Sequence, residues 1–121
     1  MEQSEFTVTT DGRYLRLTLG GPALRGSLLR LLERIFAETR SRDIWRVLVD
    51  LTGVPTPVGT FEKYQLGTEF ARAADRRLTL AVVARSEFVD HFFETVARNR
   101  GGAVAVFTEE APALHWLIGA E

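Results

Sequence analysis

The amino-acid sequence predicts an α/β domain with a mixed, mostly parallel sheet. Two observations support this: an alternating hairpin pattern opens the chain, and short apolar runs then alternate with segments of helical periodicity. The predicted order is β-β-α-β-α-β-α-β-α, with the helices packed on the sheet. The N-terminal hairpin makes the first strand antiparallel to the second, and the strand–helix alternation makes the later connections right-handed and parallel.

Length and composition indicate one globular domain. The chain has 121 residues, of which 45% are hydrophobic and 26% charged. We therefore expect a single domain over residues 1–121, with an ordered core over about 5–118. The chain has no cysteine, which excludes disulfides and thiol catalysis. Lys63 is the single lysine among fifteen basic residues, but the arginines are interleaved with acidic residues and the net charge is −1, so we expect no nucleic-acid partner.

The N-terminal residues give no targeting signal. Met1–Glu5 is acidic and polar, unlike a secretory signal, and no uncharged apolar run reaches the roughly 20 residues that span a bilayer. We expect a cytoplasmic protein without a transmembrane segment.

Each predicted element follows from a local pattern. Asp11-Gly12 separates two alternating runs and suits the two-residue turn of a β-hairpin. Arg34 and Glu38 are four residues apart on the polar side of the first helix, and Leu29 widens its apolar side enough to serve a homodimer or a membrane surface. Thr108 is the expected cap of the last helix. The strands are predicted at Phe6–Thr10, Arg13–Leu19, Ile44–Leu51, Leu78–Ala84 and Ala103–Phe107, and the helices at Leu24–Arg40, Thr60–Ala74, Glu87–Asn99 and after Thr108.

With these residues in place, the chain resembles the STAS domain superfamily, in its SpoIIAA-like branch. This is the fold of bacterial anti-sigma factor antagonists, and it is related to CRAL-TRIO lipid-transfer domains. The resemblance covers roughly residues 5–118 and implies a regulatory, protein-binding role. It is carried by Val47–Val54, Tyr64–Gly67, Leu80–Ala84, Asn99–Gly101, Val106–Thr108 and His115–Leu117.

The resemblance also points to a phosphorylation candidate. In anti-sigma antagonists, a partner kinase phosphorylates the serine of an Asp-Ser-x-Gly motif at the start of the helix that follows the central strand. The matching stretch is Val58–Phe61, so Thr60 takes the place of that serine. The aspartate and the glycine of the motif are missing here. We therefore expect Thr60 to cap its helix and to remain unphosphorylated.

Polar residues gather at the predicted carboxyl ends of the strands, where ligands bind in open α/β sheets. Asp50 interrupts an apolar strand, and we expect its carboxylate to accept hydrogen bonds from the loop that follows. The hydroxyls, one cation and a helix start could hold an anionic ligand or a partner, or they could simply form turn and cap hydrogen bonds. The candidates are Asp50, Thr52, Thr56, Thr60, Arg85 and Ser86.

The sequence contains no catalytic motif. Nucleotide-binding glycine loops, a G-x-S-x-G nucleophile and an H-E-x-x-H zinc motif are all missing. His91 falls between Glu87 and Glu94 and is interpreted as a surface residue, and His115 as a capping or packing residue. We predict no enzyme activity, no cofactor and no metal site.

Two functions remain open. The first is a non-enzymatic STAS-like regulatory module that binds another protein through the loop and helix start around Thr56–Phe61. The alternative is a carrier of a small or lipid-like molecule, with an apolar pocket between the second and third helices and the sheet. The aromatic residues that could line such a pocket, or else belong to the core, are Phe61, Tyr64, Phe70, Phe88, Phe92 and Phe93.

Overall fold

The fold is a five-stranded sheet with helices packed on it. The computed structural model describes residues 5–10, 12–20, 27–54, 65, 67–69, 78–85 and 103–119. In the sheet order β1-β2-β3-β4-β5, the first pair is antiparallel and the other pairs are parallel, which confirms the predicted mixed sheet. The elements with described bounds are β1 (Glu5–Thr10), β2 (Leu15–Gly20), α1 (Ser27–Arg42), β3 (Arg46–Asp50), β4 (Thr79–Val83), β5 (Ala103–Phe107) and α2 (Glu110–Ile118).

The hairpin is confirmed, but its connection is longer than predicted. Thr10 pairs with Leu15, so four residues rather than two separate the strands. The Thr10 hydroxyl explains the difference: it accepts from the Gly12 amide (3.0 Å) and donates to the Tyr14 carbonyl (2.7 Å). Gly12 has φ of +94°, a conformation that glycine adopts without strain. The Thr10 side chain thus forms hydrogen bonds to the connection, in place of the backbone bonds that close a two-residue turn.

Among the described residues, the larger buried cluster lies on the α1 side of the sheet. In β2, alternate residues are buried, as the predicted period of two requires. The buried stripe of α1 packs against them, and burying each such side chain contributes about 1.5–3 kcal/mol. α1 ends at Arg42, and the next residue, Asp43, has a φ of 55°, the left-handed conformation common just after a helix. The buried residues of this face include Leu15, Leu17, Leu19, Leu31, Ile35, Val47, Val49, Leu80 and Val104.

The opposite side of the sheet is covered by α2. Among the described residues, the buried side chains of this face are Leu48 of β3, Ala81 and Val83 of β4, and Ala113 and Leu117 of α2. In β3 the three consecutive residues 47–49 are buried, so this strand is covered on both faces as predicted.

The predicted cap of the last helix is wrong. The N-cap position belongs to Glu109, in an extended conformation and with no side-chain capping bond, and Thr108 lies exposed before it. The first-turn residue Glu110 instead directs its carboxylate to Arg16 on β2. Pro112 falls in the first turn, where proline is tolerated.

The predicted helix over residues 60–74 is seen in part. Residues 65 and 67–69 are helical, and Gly67 is buried. The rest of this helix, and the predicted helix over residues 87–99 with His91, lie outside the described residues. None of the helices described is long and apolar enough to cross a membrane.

Candidate functional site at the carboxyl end of β3

Asp50 is the last residue of β3 and organises the start of the next loop. Its Oδ1 accepts two hydrogen bonds from Thr52, from the amide at 2.9 Å and from the hydroxyl at 2.7 Å. The turn then closes with a bond from the Val54 amide to the Leu51 carbonyl (3.0 Å). Asp50 thus accepts hydrogen bonds from the first part of the loop, and its role in shaping the loop stays a prediction. The remainder of the loop lies outside the described residues.

The other oxygen of Asp50 faces a cation that sequence reasoning missed. Arg16 of β2 donates from Nη2 to Asp50 Oδ2 at 3.2 Å and to Glu110 Oε1 at 2.5 Å. Arg16 is on the α2 face because it pairs in register with Leu48, whose side chain is buried there. One guanidinium therefore joins two strands and the first turn of α2.

Exposure differs along this network. The Asp50 side chain is 18% exposed, the Arg16 side chain 26% and the Glu110 side chain 46%. The hydrogen bond to Glu110 raises the pKa of Arg16, burial opposes that shift, and the nearby Asp50 adds to it. Arg16 is therefore a permanent cation, and the outermost member of the network, Glu110, is the one most open to solvent and salt.

A sequence signal for Arg16 exists, although it is weak. Arg16 and Thr18 alternate with the buried leucines of β2, so they must point to the opposite face of the sheet. Asp50 alternates in the same way with Val47 and Val49 in β3. The pattern within each strand does not give the register between strands. In the register observed, Thr18 lies beside Asp50, and Arg16 lies two residues before Thr18 on the same face. Nothing in the sequence indicates Glu110 as the partner of Arg16, because its position depends on how α2 docks on the sheet.

The carboxyl ends of β3, β4 and β5 lie side by side, as the sequence predicted. The Leu51 amide donates to the Val83 carbonyl at 2.8 Å, and the Ala84 amide donates to the Phe107 carbonyl at 2.9 Å. Arg85 follows β4 and is exposed. Of the six predicted site residues, Asp50 and Thr52 are in direct contact. Thr56, Thr60 and Ser86 lie outside the described residues, as does the proposed pocket between the second and third helices.

The exposed side of α2 adds an aromatic pair. Trp116 is 39% exposed, and its ring lies 5.9 Å from that of Phe107 at the end of β5. His115 is exposed, and its carbonyl accepts from the Gly119 amide at 2.9 Å, so it takes part in the helix end through its backbone. Within the described ranges, no group of three His, Asp or Glu side chains could hold a metal ion.

In sequence, no family profile and no curated protein matches this chain. In structure, it is similar to an anti-sigma factor antagonist from Mycobacterium paratuberculosis, with a TM-score of 0.68 and 14% identity over 95% of this chain and 94% of that one. It is also similar to an uncharacterized protein of the DUF3478 family with a SpoIIAA-like fold from Shewanella loihica, with a TM-score of 0.61 and 13% identity over 97% of each chain. The chain therefore has a SpoIIAA-like fold, as the resemblance in sequence implied.

Proposed function

We propose that this protein is a STAS-like regulatory module that acts by binding another protein, without catalysing a reaction. The observation that carries the proposal is the structural similarity, over nearly the whole of both chains, to a protein named as an anti-sigma factor antagonist. That name describes action on another protein. Because one fold hosts many functions, the identity of the partner does not follow from this similarity.

The docking surface that we propose is the loop after β3, from Thr52 through the segment Thr56–Phe61. Its first residues are fixed by the two bonds from Thr52 to Asp50, so the loop leaves the sheet in a defined direction. The strand ends beside it carry the exposed residues Thr52 and Arg85. A rigid scaffold that presents a loop is a common arrangement for recognition.

The non-enzymatic part of the proposal is supported by the chemistry at this site. Asp50 Oδ1 is engaged by Thr52 and Oδ2 by Arg16, so the carboxylate is committed to structural bonds. A general base needs a lone pair directed at a substrate proton, and a nucleophile needs an activating base within hydrogen-bond reach. Asp50 is therefore better suited to positioning the loop than to catalysis.

The test is partner capture followed by measurement of affinity. Tagged full-length chain is used to recover binding proteins from its native cells, and each recovered protein is purified and titrated against three forms: unsubstituted, Thr56→Arg and Thr7→Arg. Thr7 is exposed on β1 and provides a matched control. We expect Thr56→Arg to weaken binding at least about tenfold, since unpaired charge at an interface core is costly, and Thr7→Arg to leave it unchanged. Equal affinity for all three forms, or no protein above an empty-tag control, would contradict the proposal.

Thr60 stays a capping residue in this proposal. A phosphate there would be favoured by the helix dipole and would add about two negative charges to the docking surface. Intact-mass measurement of the chain from its native cells should show no phosphate. Stoichiometric phosphothreonine at Thr60 would mean that the module is switched like the phosphorylated anti-sigma antagonists.

A further inference from the structure

A continuous chain of hydrogen bonds joins the loop after β3 to the start of α2. It runs from the Thr52 hydroxyl to Asp50 Oδ1 (2.7 Å), from Asp50 Oδ2 to Arg16 Nη2 (3.2 Å), and from the same Nη2 to Glu110 Oε1 (2.5 Å). These two bonds are made by one nitrogen, and a further side-chain hydrogen bond joins Arg16 to Tyr14. The position of that nitrogen is therefore shared between the loop and the helix.

Asp50 is placed to orient Arg16. Its Oδ1 is held by two bonds from Thr52, so Oδ2 has a fixed direction, and its side chain is the least exposed of the three charged members. Exposed ion pairs are weak largely because two long side chains must be ordered. An arginine already ordered by Asp50 loses less freedom when it also binds Glu110.

Besides this network, α2 is held on the sheet by apolar packing, to which the partly buried Leu114 and Ile118 contribute. It spans nine residues, a length at which an isolated helix is marginal in water, and its buried residues are Ala113 and Leu117. Its N-cap makes no side-chain bond. The bond from Arg16 to Glu110 is therefore its polar attachment at the N-terminal end among the described residues.

We propose that Thr52, Asp50, Arg16 and Glu110 form a latch that couples the loop after β3 to the seating of α2. This inference rests on the proposed docking at that loop. A partner that engages the exposed Thr52 hydroxyl draws it away from Asp50, so Asp50 orients Arg16 less well and Arg16 holds Glu110 less firmly. α2, with its exposed Trp116, is loosened as a result, so binding at the loop is transmitted to a second surface.

The coupling can be measured on the chain alone by backbone hydrogen exchange in NMR. Thr52→Val removes the hydroxyl bond to Asp50 and leaves Arg16 and Glu110 in place. We expect it to speed exchange of the α2 amides about twofold to threefold, and Glu110→Gln to speed them about threefold to tenfold. Because coupling is reciprocal, Glu110→Gln should also speed exchange of the Thr52 amide about twofold. In the double variant, the exchange of the α2 amides should speed up by less than the product of the two single-variant factors, because both substitutions act through Arg16.

Glu38→Gln is the matched control, because Glu38 also bridges to arginine on the exposed side of α1. It should leave the α2 and Thr52 amides unchanged, and urea unfolding of every variant confirms that it is folded. If Thr52→Val leaves α2 unchanged, or slows its exchange, the latch is refuted and Glu110 is a local anchor. The proposed function is tested separately by partner capture. If hydrogen exchange shows the coupling but no partner is captured, docking at the loop is refuted and the latch stands. If a partner binds at the loop but hydrogen exchange shows no coupling, the latch is refuted and the docking stands.

Discussion

The two faces of the sheet are built differently. On the α1 side, fourteen described side chains form one buried cluster, drawn from four strands, the flanking residues Val54 and Leu78, and a sixteen-residue helix. On the α2 side, five described side chains form the cluster, and the helix has nine residues. Among the described residues, the Arg16 network lies beside the smaller cluster, and the larger cluster consists of apolar side chains. We expect the α1 side to supply the rigid scaffold and the α2 side the adjustable surface.

The largest expected difference between the faces comes from deleting a buried leucine on each. Leu17→Ala, in β2 on the α1 face, should lower the free energy of unfolding by about 3–5 kcal/mol, because the cavity cannot close. Leu117→Ala should cost about 2 kcal/mol, because α2 can leave the sheet and so limit the loss. Urea unfolding measures both. If both substitutions lower the free energy of unfolding equally and leave its dependence on urea concentration unchanged, the two faces are equally stable.

A smaller effect is expected at the network on the α2 side. Asp50→Ala removes the acceptor of both Thr52 bonds and one partner of Arg16, so it should destabilise the protein by about 1–3 kcal/mol. Asp50→Asn keeps a carbonyl oxygen for Thr52 and should recover part of the loss. An unchanged unfolding midpoint for Asp50→Ala would refute the loop-shaping role of this carboxylate.

Sequence-based prediction succeeded for the apolar α1 side of the sheet and missed the charged network on the α2 side. The buried stripe of α1 and the apolar strands were predictable because hydrophobic period depends on local geometry. The Arg34–Glu38 pair was predictable for the same reason and is present at 2.7 Å. The bond from Arg16 to Glu110 joins residues 94 positions apart, and it depends on strand register and helix docking. The Thr108 cap failed because Glu109 occupies the capping position, which a sequence pattern places only to within a residue or two.

The smallest effect is expected on the exposed side of α1, where Glu38 accepts from Arg34 and Arg42, both at 2.7 Å. The hydrogen bonds from Arg42 and then Arg34 lower the pKa of Glu38 from its usual value near 4.5. A lowered pKa in the folded state means that this stabilisation is present above pH 4.5 and is lost as the pH falls through the folded value.

Glu38→Gln should therefore cost roughly 0.3–1 kcal/mol at pH 7, and the difference from the unsubstituted chain should disappear in acid. Urea unfolding at pH 7 and at pH values well below the usual glutamate range provides the comparison. A cost that is the same at every pH would show that the carboxylate charge is not the source.

Native-state hydrogen exchange across a series of low urea concentrations tests the contrast between the two faces most directly. In the unsubstituted chain, the α2 amides should exchange through a local opening with a lower free energy and little urea dependence. The amides of β2, β3 and α1 should exchange only through unfolding of the whole domain, with the full urea dependence. If the α2 amides instead share the free energy and the urea dependence of α1, the two faces open together and α2 is not a separately adjustable surface.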